Sequence, residues 1–566
     1  LRFNFPEPKL YAYHKVKKLW CDKIPDPHNS WCYINKDEYE KEHPEFFCKS
    51  VMNATEFCYS NGLTDDFEID ESKEISVLSL VTDKTYSLVR ENPDSKFFMY
   101  GRQDDSTAIC HCETCERRRK QVGGEGGIMV AFLNAVIKGV EKRLAKDKIV
   151  SDFCIATLAY QMTVNPPVKD GKPLHKNVIP SPRLHIRYAP IGADYTYSFL
   201  DERQNEDVRS QIFGWAALTP NIMLWDYQCN YHEYCWYFPN LCYLKENLEL
   251  YAKIGTSYLL NQGAYNVKTD WQGEMKSYVC SRLYWSTSLD VNELVKEYVG
   301  YYYSVAAPKV LRFIESMESF FREKIKNGFR ITLFQGDAQY FAASSYPVGF
   351  LTEQLNLLDS AIKDIDDARI SDGEKEVLKI RLYKVIMTPL RMIMRNADVY
   401  FPNEETDYGK RFFALANITG LNKLGETLPI FIQMQKDGTS DYKIVLGQEY
   451  TASEKEAARY FQKKFSQLGG CVLQIVQDDK VYPHYGEKAV CIGDHMMFRE
   501  FFKGSVQSAD YEYFVETRGK CSFICGTGDL KYAADILLGN MITEVGDNGV
   551  DIKLPFMKKT KFNEKR

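Results

Sequence analysis

Three thiols fall within six residues in Cys110-His-Cys112-Glu-Thr-Cys115, a spacing that lets them converge on one soft cation. Cys58, in Phe57-Cys58-Tyr59-Ser60, or His111 itself would supply a fourth donor and close a tetrahedral shell. The residues are open to three readings: a structural zinc site, a disulfide, or reduced thiols. None of these makes the cluster the catalytic centre, because a closed shell of four protein ligands leaves no position for substrate. Just upstream stand Asp104 and Asp105, in Gly101-Arg-Gln-Asp-Asp105. Neighbours in an extended chain point to opposite sides, so one of the two faces a cleft, with Asp105 favoured, and the other caps the loop. A further carboxylate, Asp226, sits in Leu224-Trp-Asp-Tyr227 between rings that would raise its pKa or stack on a sugar. Paired carboxylates across an opening cleave glycosidic bonds: one protonates the leaving oxygen, the other stabilises the oxocarbenium-like centre or activates water. Capping of loops by either Asp is the competing reading. The expected substrate contacts are His28, in the Pro-rich loop Pro27-His28-Asn29, and Tyr160, Trp225, Tyr227 and Gln262 at strand ends. Glu233 follows His232, but no second His completes an HExxH zinc signature.

These side chains need a frame, and the hydrophobic pattern supplies one. Short aliphatic and aromatic runs at 75–80, 97–101, 153–160, 184–188, 222–227 and 254–260 each read as buried strands. A helix is expected where Ile128, Phe132, Val136 and Val140 recur every four residues behind the glycine-rich approach Gly123 to Gly127. Strand, helix, strand in repeated order means a parallel sheet. Its length, and the lack of a GxGxxG after any strand, favour a (β/α)8 TIM-type barrel with its chemistry at the strand C-termini. Past about residue 305 the texture turns helical, with Leu351, Leu355, Leu358, Ile362 and Ile365 on one face and a Ser371/Glu374 capping box. From Tyr442 a small α/β module is expected, with a Thr451/Glu454 capping box and strands near 444–446, 472–476, 490–492 and 522–524. Gly526-Thr-Gly528 lacks the Lys-Ser/Thr of a phosphate loop and reads as a turn.

Composition removes other classes. The chain has 566 residues, 45% hydrophobic and 26% charged, which is ordinary globular usage. With 72 Lys+Arg against 77 Asp+Glu there is no positive excess to neutralise a phosphate backbone, so nucleic acid is not an expected partner. No run of roughly 18 apolar residues exists to make a membrane helix. The 14% aromatic content suits either sugar platforms or an ordinary core. Sixteen irregularly spaced Cys are too dilute for a small disulfide scaffold. The chain opens at Leu1 without an apolar leader, as expected of a processed or excised piece.

The motifs His43-Pro-Glu-Phe-Phe47, Phe57-Cys-Tyr-Ser60, Gln103-Asp-Asp105 before the cysteines, Leu158-Ala-Tyr160 with Pro166-Pro167, Leu224-Trp-Asp-Tyr227 and Tyr301-Tyr-Tyr303 before Ala306-Ala307 occur in that order. In this combination, over roughly residues 20 to 400, the chain resembles the domain of unknown function 4838 family, bacterial proteins allied to glycoside hydrolase families 20 and 67. The resemblance implies a TIM barrel followed by a helical region, acting on carbohydrate. Residues 442–546, with Ala457-Ala-Arg-Tyr460 in a helix, also look like the small α/β domain that precedes the barrel in those hydrolases, although here it follows. Family 20 enzymes pair Asp with Glu and use the substrate's acetamido group, whereas Asp104-Asp105 stands at the similar place here, so that mechanism is not carried over.

The combined expectation is a TIM-type barrel (1–305), a helical domain (306–435) and a small α/β domain (436–566). The expected function is a glycoside hydrolase on a complex, uronic or amino-sugar glycan, with Asp105 and Asp226 as the carboxylates, assisted by Asp104. No cofactor is expected for catalysis; Cys58, Cys110, Cys112 and Cys115 are the metal candidates. The alternative is a non-catalytic carbohydrate-binding protein on the same scaffold. Secreted and cytoplasmic locations are both left open.

Overall fold

The computed structural model describes residues 19–563 apart from 26, 50–54, 105–107, 268, 335–344, 396–406, 427–430, 481–487, 503–506, 519, 547, 556 and 557. A two-stranded antiparallel hairpin, β1 (Phe47–Lys49) and β2 (Thr55–Phe57), precedes the main sheet. That sheet is parallel and five-stranded, in the order of the chain: β3 (Phe97–Tyr100), β4 (Cys154–Ala159), β5 (Leu184–Tyr188), β6 (Ile222–Tyr227) and β7 (Tyr258–Gln262). Leu19 to Cys21 run parallel beside β3, bonded through Cys21 N–H to Phe97 O and Phe97 N–H to Leu19 O. The protein is therefore a mixed α/β fold whose parallel sheet curls like half a barrel.

Side chains alternate across each strand, and the two faces meet different neighbours. Phe98, Tyr100, Ile155, Ile186, Ile222 and Leu224 join the large apolar cluster shared with the helices. Phe97, Met99, Cys154, Ala156, Leu158 and Met223 form a separate inner cluster, against which Trp20, Tyr160, Trp225 and Tyr258 pack. Arg187 lies in this inner space with its guanidinium 4.8 Å from the Trp225 ring, 5.2 Å from Trp20 and 5.3 Å from Tyr258. Aromatic faces around a desolvated guanidinium are each worth up to about 2 kcal/mol.

The helices follow from their periodicity. α1 (Val77–Glu91) starts at a capping box of Ser76 and Ser79. Of residues 75–80, expected as a strand, Ser76 is thus its N-cap and Val77 to Leu80 its first turn. The short apolar run continues with Val81, Thr85, Leu88 and Val89 buried at helical spacing, and that longer period decides between the two structures. α2 (Glu113–Val122) ends at Gly123, whose φ of +75° is left-handed. α3 (Glu125–Lys146) then buries Ile128, Phe132, Val136 and Val140 as expected. α4 (Glu206–Leu218), α5 (Leu241–Lys253) and α6 (Trp271–Trp285) back the later strands. The run expected as a strand from 254 begins at Tyr258, because Ile254 caps the end of α5.

α7 (Val291–Tyr303), α8 (Ala307–Lys326), α9 (Val348–Asp367), α10 (Asp372–Arg395) and α11 (Asp407–Thr419) make the helical part. Its buried residues belong to the same apolar cluster as the sheet, which runs from Cys21 to Leu424. A further six-stranded sheet contains β8 (Lys443–Leu446), β9 (Ala489–Ile492) and β10 (Cys521–Cys525) in parallel. Strand alternation divides its core: Ile444, Val490 and Ile524 pack with Ala457, Phe461 and Phe465 of the helix Ala452–Gln467, while Val445, Cys491 and Phe523 pack with Phe498 and Phe502. In the Gly526-Thr-Gly528 turn, the N–H groups of Thr527 and Gly528 bond the carbonyls of Tyr511 and Glu512, which leaves no phosphate cradle. Among the described residues no helix is long and apolar enough to cross a membrane.

Candidate functional site

The C-terminal ends of parallel strands are where such sheets present chemistry, and here the end of β3 is tied down tightly. Asn29 donates from Nδ2 to Met99 O (2.9 Å) and accepts from Gly101 N–H at Oδ1 (2.9 Å). Gly101 is required at this point because a Cβ there would stand 2.0 Å from Pro27 O. The loop so pinned carries His28. Its Nδ1 donates to Arg102 O (2.8 Å), since a carbonyl only accepts, and this turns Nε2 toward Asp104 Oδ1 at 3.6 Å. The Tyr160 hydroxyl donates to the same carboxylate oxygen at 3.4 Å, and its ring lies 5.8 Å from that of His28. Asp104 is 56% exposed, so a carboxyl group held from two sides faces solvent.

The rest of the rim is aromatic and amide. Trp225 Nε1 donates to Gln262 Oε1 at 2.7 Å, which fixes both on the inner face. Burial pushes the Tyr227 phenol well above its usual range, and the charges of Tyr160, Asp226 and Asp104 add to it. The Tyr265 phenol is pushed up to about 12, first by burial and then by Glu426, with Asp104 contributing. Its hydroxyl donates to Glu426 Oε1 at 2.7 Å. Glu426 is fixed by its backbone: its N–H donates to Tyr231 O (2.7 Å), and its carbonyl accepts from Asn266 Nδ2 (2.9 Å) and Lys423 Nζ (3.1 Å). Asp104 and Glu426 thus both act on Tyr265.

Of the residues expected from sequence, His28, Asp104, Tyr160, Trp225, Tyr227 and Gln262 are brought to this end of the sheet. Asp105 lies outside the described residues. Asp226 is placed elsewhere: in β6 it alternates with Trp225 and faces the helices. It is buried and accepts from the Tyr195 hydroxyl (3.1 Å) and the Tyr227 N–H (2.8 Å). Its charge also bears on Cys280 and Tyr284 of α6. Asp226 is thus buried on the helix face, whereas Asp104 is exposed at the rim. Glu426 and Tyr265 were not anticipated; they arrive from the segment after the helices and from the loop after β7, which no local spacing connects.

Burial pushes the Asp226 carboxyl up to about 6, against the opposing pull of its hydrogen bonds from the Tyr227 N–H and the Tyr195 hydroxyl. A carboxyl with a raised folded pKa binds its proton more tightly when folded. Its stabilisation is therefore present at acid pH and lost as pH rises from about 4 to about 6, a swing of about 3 kcal/mol. Asp226→Asn is expected to match the parent near pH 4 and exceed its stability at pH 7. Melting curves from pH 4 to 8 check this; parallel curves for the two proteins would contradict it.

Beside the rim, the Sγ atoms of Cys58, Cys110, Cys112 and Cys115 all lie within 4.8 Å of one another and could hold a metal ion. His111 is instead turned to Glu116 at 2.7 Å and is 69% exposed, so Cys58 is the fourth candidate donor. Cys112 caps α2, accepting from Cys115 N–H at 3.4 Å, which places the thiols at the positive end of a helix. The Cys110 thiol is pulled down to about 4, chiefly by hydrogen bonds from Cys115 and Cys58.

Among solved structures the chain is similar to a GH138 enzyme targeting pectin rhamnogalacturonan II, with a TM-score of 0.34 and 11% identity. The alignment covers 61% of this chain and 46% of the other, so the chain spans less than half the length of that structure. No match was found among curated proteins. The family described as "Domain of unknown function (DUF4838)" matches residues 12–315, more than half of the sequence, and the chain belongs to that family.

Proposed function

We propose that the protein is a glycoside hydrolase acting on a complex glycan at the mouth of a (β/α)8-type barrel, of which the five parallel strands form part. The observation that carries this reading is Asp104, a solvent-facing carboxylate at the end of a parallel strand, oriented by His28 and Tyr160. Asp104 is read as the acid/base and Glu426, across Tyr265, as the second carboxylate that glycosidic cleavage needs. Tyr160 and Trp225 offer rings for the C–H faces of a sugar, and Gln262 and His28 offer hydrogen bonds to its hydroxyls. Asp226, on the helix face, is read as a buried structural carboxyl. The four thiols stand outside the chemistry, since four sulfur ligands would leave no coordination position for substrate. The parts 1–305, 306–435 and 436–566 are read as barrel, helical region and an accessory α/β module.

Binding without cleavage is the second reading, favoured by the burial of Asp226 on the helix face. Calorimetric titration with a panel of neutral, uronic and amino-sugar oligosaccharides tests the site itself. Tyr160→Ala and Trp225→Ala are expected to weaken binding at least about tenfold each, in line with the loss of an aromatic contact. Affinity that neither ring removal changes would place the glycan elsewhere.

A further inference from the structure

We propose that Cys58, Cys110, Cys112 and Cys115 bind one zinc ion as a closed tetrathiolate, and that this ion clasps the segment carrying Asp104 to the β1–β2 hairpin. The assignment stands on sulfur geometry and is independent of the glycan reading. Zinc–sulfur bonds of about 2.3 Å in a tetrahedron require sulfurs about 3.8 Å apart. Cys58 Sγ lies 3.5 Å from Cys115 Sγ and 4.0 Å from Cys112 Sγ, and no pair in the set exceeds 4.8 Å. A disulfide needs about 2.05 Å between sulfurs, and all four cysteines are free. Four soft donors in tetrahedral array select zinc, or iron as the competing metal, over hard cations.

The surroundings suit the charge. Four thiolates around a divalent ion carry a net −2, and arginines stand on the same side: Arg119 donates to Cys110 O at 2.8 Å, while Arg118 feels Cys115 and Cys58 and is anchored on Ser60 O at 2.9 Å. Arg117 and Arg118 also line the groove that contains three of the thiols.

The clasp follows from what lies on either side of Asp104. Upstream, Gln103 N–H donates to Glu56 Oε2 at 2.9 Å, and Glu56 is two residues before Cys58. Downstream, Cys110 would be tied through the ion to Cys58 itself. Both ends of the segment are thus anchored to the same end of β2, with Arg102 bracing them through Ala108 O and Glu125. Metal loss frees the downstream anchor, so residues 102–104 and 108–112 lose order first.

The test begins with metal analysis of the full chain purified without chelator. About one zinc per chain is expected, and its removal should lower Tm by roughly 5–10 °C. Amide exchange should accelerate in 102–104 and 108–112 while the β4 and β5 strands are unchanged. Cobalt(II) added to the stripped protein should give sulfur-to-cobalt charge transfer and the intense visible bands of a tetrahedral site. Cys112→Ser should lose these bands, with Cys242→Ser, an exposed cysteine outside the cluster, as the thiol-count control. Should Cys112→Ser fail to fold, the cobalt titration of the parent still decides. Stoichiometric iron, absence of any bound metal with no cobalt uptake, or unchanged exchange in 102–104 and 108–112 after stripping would each overturn the proposal.

Discussion

Asp104→Asn is expected to lower glycan turnover by about 10²–10⁴-fold, the usual contribution of a positioned acid/base, with substrate affinity altered much less. The amide keeps the shape of the carboxyl and can still accept the Tyr160 hydroxyl at 3.4 Å, so the rim should not rearrange. What it loses is the proton and the charge that His28 Nε2 faces at 3.6 Å. Glu426→Gln is expected to fall by a comparable factor, since its carboxylate is the partner across Tyr265. Single-turnover rates beside equilibrium binding separate the two effects: a change in binding alone, with turnover preserved, would make Asp104 a contact residue and not the acid/base.

The second large effect is on stability. Arg391 and Glu233 are 0% and 1% exposed at their side chains and meet in two parallel bonds, Nε to Oε1 at 3.1 Å and an Nη to Oε2 at 2.7 Å. The pair joins α10 to the loop after β6, whose Tyr231 carbonyl in turn receives the Glu426 N–H. Breaking a buried pair strands a charge in low dielectric, so Arg391→Met is expected to cost about 3–5 kcal/mol. Replacing both partners, in Arg391→Met with Glu233→Leu, should recover much of that loss, because the penalty is the unpaired charge more than the missing attraction. Urea unfolding of the single and double variants checks this. Equal losses in both would mean that packing around the pair, and not charge, sets the effect.

Much of the frame was legible because its signals are periodic. The strands from β3 to β6 and the helix α3 carry enough apolar residues at one spacing to be read locally, and the Ser371/Glu374 and Thr451/Glu454 capping boxes form as the sequence implies. The strand expected at 75–80 failed where periodicity is weakest: six apolar and small residues fit either period, and only Val81 to Val89 settle the helix. The site was legible in part. Tyr160, Trp225 and Gln262 were expected at strand ends and stand at the rim, whereas Asp105, favoured over Asp104 from sequence, lies outside the described residues.

Asp226 shows the limit. β6 is apolar on both faces, so alternation separates Trp225 from Asp226 but does not say which of them meets the helices. Cys58 and Cys112 are 54 residues apart, and Tyr265 and Glu426 are 161 apart. Contacts at such separations are products of the fold, with no local pattern to announce them. Glu233 had a motif-like neighbour in His232, but its role is set by Arg391, 158 residues further on.

The proposed role of the rim around Asp104 is cleavage of a glycosidic bond. Its most direct measurement is release of reducing sugar from a panel of complex glycans by the full chain, with Asp104→Asn and Asp226→Asn run beside it. Release by the parent, near-complete loss in Asp104→Asn and retained release in Asp226→Asn at neutral pH are expected. Release that Asp104→Asn leaves intact, or binding of a glycan that no form of the protein cleaves, would contradict that role.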